Sequence, residues 1–321
     1  MLEADSIVAN RQMRRRLGVW RIVAILAIAL SLGVLALWGA DANGGLSKFS
    51  DHIARVRVEG LITGDRKTIK MLEALSKADR VKGVIIHIDS PGGTTAGSEA
   101  IYEAIRKIAE DKPVTAVLGT VAASGGYITA IASDHIVARG NTITGSIGVI
   151  FQWAEVSQLF DKLGIKMESI KSSELKAEPN MFNPLTDKVR DVTQVLIQDS
   201  YDWFVGLVAE RRNLAKPVAL RLADGRVYSG RQAVENKLID ELGGEKQAKA
   251  WLVKEKKLDA DLEIVDWKPK AKVDPSGLGL SLLATILKGL GIEHSELFLS
   301  KVLQPDSAKL DGLLSVWHPS R

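Results

Sequence analysis

A serine followed by two glycines is the feature of this sequence best suited to covalent chemistry. Ser124 lies in the run Ala122-Ala-Ser-Gly-Gly-Tyr127, after an apolar stretch and before a short apolar segment. A serine at the start of a helix faces unpaired backbone N–H groups and the positive end of the helix dipole, which suit the oxyanion of an acyl-transfer intermediate. The residues therefore indicate a nucleophile, although an N-cap serine is the alternative and the run departs from the GxSxG pattern of α/β-hydrolases.

A serine nucleophile requires a base, and the histidines are poor candidates for that role. His87 lies within a predicted strand and His135 begins another, so both are expected to be hydrogen-bonded structural histidines. A lysine is an alternative base where burial lowers its pKa from about 10.4 towards about 7–8. The residues alone leave the identity of the base open.

Metal and cofactor chemistry is not indicated by the sequence. It contains no cysteine, and its histidines have no ligand-like spacing. The glycine-rich turns at 89–93, 122–127 and 144–148 match neither a Walker loop nor a dinucleotide-binding loop. We therefore expect neither a metal nor a cofactor.

Alternating strands and helices must position these turns. An apolar strand predicted at 84–88 leads into the first turn, and another at 114–118 precedes Ser124. Alternation at this spacing predicts parallel pairing, an α/β core and one catalytic domain rather than two. The other predicted strands are 53–59, 135–138, 146–150 and 264–267, and the predicted helices are 67–78, 97–109, 124–132, 186–213, 217–222, 231–236, 245–255 and 278–290.

The positive charge of the chain is concentrated at its N-terminus. Residues 1–21 hold five arginines against two acidic residues, a net charge of +3 out of +4 for the whole sequence. A nucleic-acid-binding protein needs basic residues spread over a folded face, so we expect no nucleic-acid partner.

An uncharged apolar run follows the arginines. Residues 22–37 lie between Trp20 and Trp38. A helix of about eighteen residues, at about 1.5 Å per residue, spans roughly 27 Å, close to the thickness of the hydrocarbon core. The flanking arginines and tryptophans predict a single transmembrane helix with a cytoplasmic N-terminus. A cleaved signal peptide is the alternative, because Ala40-Asp-Ala42 resembles a cleavage site.

From about residue 53 to 265 the motifs resemble those of the signal peptide peptidase A family, membrane-anchored Ser-Lys proteases with a Clp-protease/crotonase-like α/β fold built on a repeated β-β-α core. The matching segments, in order, are Asp89-Ser-Pro-Gly-Gly93, Ala123-Ser-Gly-Gly-Tyr127, Thr144-Gly-Ser-Ile-Gly-Val149, Lys171-Ser-Ser-Glu-Leu-Lys176 and Asp224-Gly-Arg-Val-Tyr-Ser-Gly-Arg231. The resemblance implies Ser124 as nucleophile, Lys176 as general base and Ser146 as the residue that orients the base. It also implies an oxyanion hole formed by Gly92, Gly93 and Gly125.

The lysine segment departs from the family pattern. Ser173-Glu-Leu175 replaces the glycine and aromatic residue that often precede the lysine, and Glu174 and Glu178 flank Lys176. A carboxylate beside an ammonium group opposes the loss of its proton. The assignment of Lys176 therefore requires both glutamates to point away or to be paired elsewhere.

The resemblance also implies an organisation and a biological setting. It predicts a bacterial inner-membrane protein with its catalytic domain on the outer, periplasmic side, which degrades signal-peptide remnants and other apolar peptides. Its partners would be these peptides, membrane lipid and further copies of the chain, in a ring or dome whose serine–lysine pairs are shared between subunits. The predicted segments are a basic cytoplasmic segment (1–19), a transmembrane anchor (20–40), a linker (41–52), the peptidase domain (53–267) and a C-terminal tail (268–321).

Three alternatives share the fold. One is a membrane protease that acts on stomatin-like partners, which would use the same serine and lysine. The others are a crotonase-like acyl-CoA enzyme and a non-catalytic scaffold, neither of which needs Ser124 or Lys176. Labelling by a covalent serine-directed probe separates the scaffold from the proteases.

Overall fold

The structure is a computed structural model that describes residues 50–269, the single residues Trp20 and Lys48, and the backbone of residues 314–316. The predicted basic segment, nearly all of the anchor, most of the linker and the predicted helix at 278–290 lie outside the described residues. No helix within the described part of the chain has the length and apolar character needed to cross a bilayer.

Strands and helices alternate along the first half of the described chain. The strands are β1 (His52–Ile62), β2 (Val81–Thr94), β3 (Val114–Ala123), β4 (His135–Ala138), β5 (Ile143–Gly145), β6 (Val227–Ser229), β7 (Glu241–Leu242), β8 (Glu263–Trp267) and β9 (Leu314–Val316). The helices are α1 (Arg66–Ser76), α2 (Thr95–Ala109), α3 (Gly125–Ile131), α4 (Ser157–Lys162), α5 (Asp187–Arg211), α6 (Lys216–Leu222), α7 (Gly230–Glu235) and α8 (Glu245–Lys256).

These strands form one mixed sheet. Its main path has the order β6-β5-β3-β2-β1-β8, and β4 pairs with β3 as well. The pairs that join β1, β2, β3, β5 and β8 are parallel, whereas β6 and β9 run antiparallel to their neighbours. The predicted α/β core with parallel pairing is therefore confirmed.

The sheet has hydrophobic clusters on both faces. On one face, Ile86 and Ile88 of β2 pack with buried residues of α1, α2, α3 and α5. On the other face, Ile85 and Val117 pack against Ala248 and Leu252 of α8. Because side chains alternate along a strand, a continuous apolar run such as Val84–Ile86 fits a strand that is covered on both sides.

One predicted strand is wrong. The extended segment expected at 146–150 is a loop, and the strand at this place is β5, three residues earlier. Ser146 has φ 50°, a left-handed conformation that does not continue a strand. The chain therefore leaves the sheet at Ser146.

Residues 151–186 differ from the rest of the described chain. None of them is buried, and α4, their only helix in the structure, has no buried residue. This exposed segment carries the predicted base Lys176.

Candidate active site

Ser124 lies at the turn between β3 and α3. Its backbone has φ 55° and ψ −117°, a combination that costs a non-glycine residue about 1–3 kcal/mol. The side chain is 1% exposed and makes no N-cap hydrogen bond to α3. The alternative of an ordinary N-cap serine is therefore wrong. A strained strand-to-helix turn is instead the geometry that presents a nucleophilic serine in α/β-hydrolases.

Backbone hydrogen bonds bring Ser146 beside Ser124. The N–H of Ser124 donates to the carbonyl of Gly145 at 2.8 Å, and Ala123 pairs with Gly145 in the parallel β3–β5 ladder. The N–H of Ser146 donates in turn to Arg226 O at 2.8 Å. Thr144 strengthens the junction, because its buried hydroxyl donates to Ala122 O at 2.7 Å. Two of the three predicted catalytic residues are thus adjacent in the structure.

The loop with the predicted oxyanion glycines forms the end of β2. Gly92 has φ 112°, which favours glycine. A Cβ atom on Gly93 would lie 1.8 Å from Ile62 O, so no side chain fits there. The N–H of Gly92 donates to the hydroxyl of Ser90 at 3.1 Å.

The third predicted glycine, Gly125, begins α3 directly after Ser124. As the first residue of a helix, its N–H has no partner within that helix. The next residue, Gly126, packs on the loop so closely that a Cβ atom there would lie 2.6 Å from Ser90 O. The glycine loop and the start of α3 are thus in direct contact.

A strand from the C-terminal tail borders the same loop. Gly92, Gly93 and Thr94 pair antiparallel with Val316, Ser315 and Leu314. The same residues of β2 pair with β1 along their opposite edge. β9 therefore lies along the edge of β2 that pairs with β3 earlier in the strand. The last β2–β3 pair is Ser90 with Ala122, two residues before Ser124. β9 therefore takes the place in the sheet that β3 leaves where the chain turns at Ser124.

Lys176 lies on the exposed segment 151–186. Lys176 itself is exposed, whereas Ser124 is buried. The structure of one chain therefore places the predicted base and the predicted nucleophile in different environments.

Both glutamates that flank Lys176 are paired with other lysines. Glu178 accepts from Lys171 at 2.6 Å and also from Asn183, and Glu174 accepts from Lys188 at 2.5 Å. The hydrogen bond from Lys171 lowers the pKa of Glu178, and the hydrogen bond from Lys188 lowers that of Glu174. The assignment of Lys176 as a base required both glutamates to point away or to be paired elsewhere. Both carboxylates are paired with other lysines, so this requirement is met.

The segment that carries Lys176 also exposes apolar side chains. The exposed large hydrophobic residues of this region and of the first half of α5 are Ile150, Leu159, Leu163, Ile165, Met167, Ile170, Leu175, Met181, Val192, Val195 and Leu196. Single exposed apolar side chains are normal, but a concentration of this kind is typical of an interaction surface.

The histidines lie in other environments. His135 stacks on Trp251 with ring centroids 4.7 Å apart and forms a hydrogen bond with Glu241, so the structural role expected for it is confirmed. His87 lies within β2 as expected, but its buried Nδ1 atom has no hydrogen-bond partner among the described residues. Those residues also contain no group of three His, Asp or Glu side chains that could hold a metal ion.

Sequence reasoning assigned no role to Asp89 or Ser90, although both lie in the first glycine-rich turn. The carboxylate of Asp89 accepts from the N–H of Val121 at 3.0 Å and ties β2 to β3. Ser90 is fully buried and bonds to β1 and to Gly92. Their position in a glycine-rich motif was the one feature of the sequence that could have indicated a role. Their hydrogen-bond partners in β1 and β3 are remote in sequence and are revealed only by the fold.

Comparison with known families gives two matches. The model of Peptidase family S49 matches residues 106–259, and the model of Clp protease matches residues 62–143. Together with the mixed sheet, the second match confirms the Clp-protease-like α/β fold expected from the resemblance.

Curated relatives of the chain include proteases of bacteria and archaea. A putative protease of Synechocystis sp. is 38% identical over 248 residues, which cover 76% of this chain and 89% of the relative. A putative protease of Methanocaldococcus jannaschii is 36% identical over 231 residues, 70% of this chain and 72% of the relative. A putative signal peptide peptidase of Enterococcus faecium is 38% identical over 201 residues, 62% of this chain and 58% of the relative.

Proposed function

Since the chain belongs to peptidase family S49 and is a serine-type peptidase of the signal peptide peptidase A family, we propose that Ser124 is its nucleophile and Lys176 its general base. Ser146 orients the lysine in this proposal. The single observation that carries the assignment is the strained, buried turn at Ser124, joined by backbone hydrogen bonds to the segment with Ser146. Local strain of this kind persists where a site requires it.

The proposed reaction proceeds through an acyl-enzyme. The neutral amine of Lys176 accepts the proton of the Ser124 hydroxyl while the oxygen attacks the peptide carbonyl. Backbone N–H groups of the glycine loop and of Gly125 stabilise the resulting oxyanion. The lysine then donates the proton to the leaving amine, and water hydrolyses the ester with the lysine again acting as base.

We propose that the lysine reaches the serine of a neighbouring copy in a homo-oligomer. The support lies in the contrast between the two residues, because Ser124 is buried in the core whereas Lys176 lies on a segment with no buried residue. Apolar side chains concentrate on that same segment. An assembly that covers this surface would deliver Lys176 together with it, in the ring or dome arrangement implied by the family.

The proposed substrates are extended apolar peptides, including signal-peptide remnants. The pairing of Leu314–Val316 with Gly92–Thr94 supports an extended binding mode, because it demonstrates that this edge accepts an antiparallel strand. A substrate backbone added in the same way would pass the position at which β3 turns into Ser124.

The proposed setting is the bacterial inner membrane. Residues 1–19 and 20–40 would form a cytoplasmic segment and a single anchor, and residues 41–52 would link the anchor to a peptidase domain at 53–267 on the outer side. The tail at 268–321 would come after that domain. The apolar run between two tryptophans and the arginine cluster before it support this topology.

Covalent labelling tests the nucleophile. A fluorophosphonate probe followed by peptide mapping should modify Ser124, and Ser124→Ala should lose both labelling and at least about 10⁴-fold of peptidase turnover. Ser76→Ala provides the control, because Ser76 is a half-buried serine at the end of α1, and this variant should retain both labelling and turnover. Near-normal turnover by a folded Ser124→Ala chain would reject the assignment.

Membership of a peptidase family bears on the three alternative functions in different ways. The peptidase family removes the acyl-CoA enzyme and the non-catalytic scaffold. A membrane protease that acts on stomatin-like partners would use the same residues, so it remains a second proposal about the substrate. Comparing cleavage of a signal-peptide remnant with cleavage of a stomatin-like protein by the full chain distinguishes the two.

A further inference from the structure

Ser90 contacts three elements around the candidate nucleophile, which are β1, the glycine loop and the start of α3. Its hydroxyl donates to the carbonyl of Gly60 in β1 at 2.6 Å and accepts from the N–H of Gly92 at 3.1 Å. Its own carbonyl lies against Gly126, at the start of α3. The residue has no exposed surface. A single buried side chain and its peptide group thus link β1, the glycine loop and the nucleophile helix.

The position of Ser90 coincides with an irregularity in the sheet. Glu59 pairs with Asp89 and Leu61 pairs with Gly92, so one residue of β1 opposes the two residues Ser90 and Pro91 of β2. An extra residue of this kind bends a strand and changes the direction of the residues after it, and such bulges recur beside active sites. The Ser90 hydroxyl bridges the two sides of the bulge, because it binds Gly60 on one strand and Gly92 on the other.

We propose that Ser90 is a positioning residue for catalysis, which fixes the direction in which the Gly92–Gly93 backbone leaves the bulge towards Ser124. Because the N–H of Gly92 is engaged by the Ser90 hydroxyl, this proposal places the oxyanion donors among the other backbone N–H groups of the glycine loop and the start of α3. Without the hydroxyl, β1 and the loop lose their shared partner, while the hydrophobic core remains intact. Removing the hydroxyl should therefore weaken the stabilisation of the transition state, because its hydrogen-bond donors must lie within about 2.7–3.1 Å of the developing oxyanion.

The test compares Ser90→Ala and Ser90→Cys with the wild-type full-length chain. We expect Ser90→Ala to lower kcat by about 10- to 100-fold with KM changed by less than about threefold, because only transition-state stabilisation is lost. The affinity for a peptide aldehyde, which forms a tetrahedral adduct on a serine, should fall by the same factor as kcat/KM. Ser90→Cys keeps the size of the side chain with a weaker hydrogen-bonding group, so its kcat should lie between those of wild type and Ser90→Ala.

A matched control removes a buried hydroxyl from the other end of β3. Thr115 is fully buried, and its hydroxyl donates to His135 O at 3.1 Å. Thr115→Val should lower the unfolding temperature and leave kcat and aldehyde affinity unchanged. If Ser90→Ala behaves in the same way, Ser90 is only structural and the inference is overturned. Should Ser90→Ala fail to fold, wild-type kcat in Ser90→Cys would overturn it equally.

The inference rests on the proposed nucleophile, and the two fail in different ways. Retained turnover in Ser124→Ala rejects the proposed function whatever Ser90 does. Loss of turnover in Ser124→Ala, together with wild-type kcat and aldehyde affinity in Ser90→Ala, rejects the role of Ser90 alone.

Discussion

At Ser124 the chain maintains a backbone conformation that serine rarely adopts. The N–H on one side of the residue is fixed by Gly145, and the carbonyl on the other accepts from Tyr127 and Ile128 of α3. Tyr127 is itself anchored, because its buried hydroxyl donates to Leu238 O at 2.7 Å, and burial raises the pKa of this phenol. The turn is therefore determined by contacts on both sides, which explains how its strain is sustained.

Lys176 is the residue whose role needs the most direct test. Replacement by arginine keeps a positive charge, but a guanidinium group does not lose its proton at working pH. A general-base role therefore predicts that Lys176→Arg is as inactive as Lys176→Ala in a steady-state peptidase assay. The wild-type rate should rise with pH through one apparent ionisation and level off under alkaline conditions, as neutral amine accumulates. Partial rescue by arginine would instead indicate an electrostatic role.

Among the local elements, the loop at 171–183 should respond to acid. Lys171 lowers the pKa of Glu178 below its ordinary value of 4.5, so the contribution of this pair to stability is present above that value and is lost as pH falls through the lowered pKa. The protection factors of the loop amides, which compare the measured exchange rate with the intrinsic rate at the same pH, should therefore fall below about pH 4.5 in the wild-type chain. In Glu178→Gln the protection factors should already be lower at pH 7, and turnover should be reduced.

Glu174→Gln is the matched control for that experiment. The pair of Glu174 with Lys188 has side chains that are 81% and 63% exposed, whereas those of Glu178 and Lys171 are 11% and 20% exposed. Water screens exposed pairs of this kind, so Glu174→Gln should change the protection factors and turnover little. Equal effects of the two substitutions would contradict the importance of the enclosed pair.

β9 should compete with substrate for the edge of β2. Ser315 lies opposite Gly93, and proline at this position cannot donate to the ladder. Ser315→Pro should therefore lower KM for a short apolar peptide by about 3- to 10-fold with kcat unchanged, because a larger fraction of chains has an open edge. Ser315→Ala keeps the backbone N–H and should behave as wild type. An unchanged KM in Ser315→Pro would mean that substrate binds elsewhere.

Elements with strong local patterns could be predicted from the sequence. The apolar run at 84–88, the strand before Ser124 and the long helix at 186–213 all appear in the structure, although β2 and β3 continue six and five residues beyond their predicted C-terminal ends. The strand predicted at 146–150 lies three residues too late along the chain, because its apolar residues favour an extended conformation, whereas the left-handed backbone of Ser146 ends β5 at Gly145. The Ser90 bulge and the pairing of β9 depend on residues remote in sequence, so local patterns do not reveal them.

At the scale of the molecule, the proposed sharing of Ser124 and Lys176 between subunits predicts complementation between inactive chains. Mixing Ser124→Ala with Lys176→Ala under conditions that allow subunit exchange should restore part of the peptidase activity, since mixed assemblies contain intact serine–lysine pairs. Each variant alone, taken through the same exchange procedure, provides the control. Mixed assemblies that form but stay inactive would contradict a site shared between subunits.

In the proposed homo-oligomer, the exposed apolar segment around Lys176 would also link the stability of the chain to its concentration through mass action. An assembly that covers Leu163, Met167 and Ile170, which are 63%, 54% and 106% exposed in the single chain, stabilises only folded chains. The unfolding temperature of the protein would then rise with protein concentration, as it does for any oligomer whose subunits dissociate before they unfold. On dilution, the extra stability and the peptidase activity would disappear together, because the surface that holds the subunits together also supplies the base.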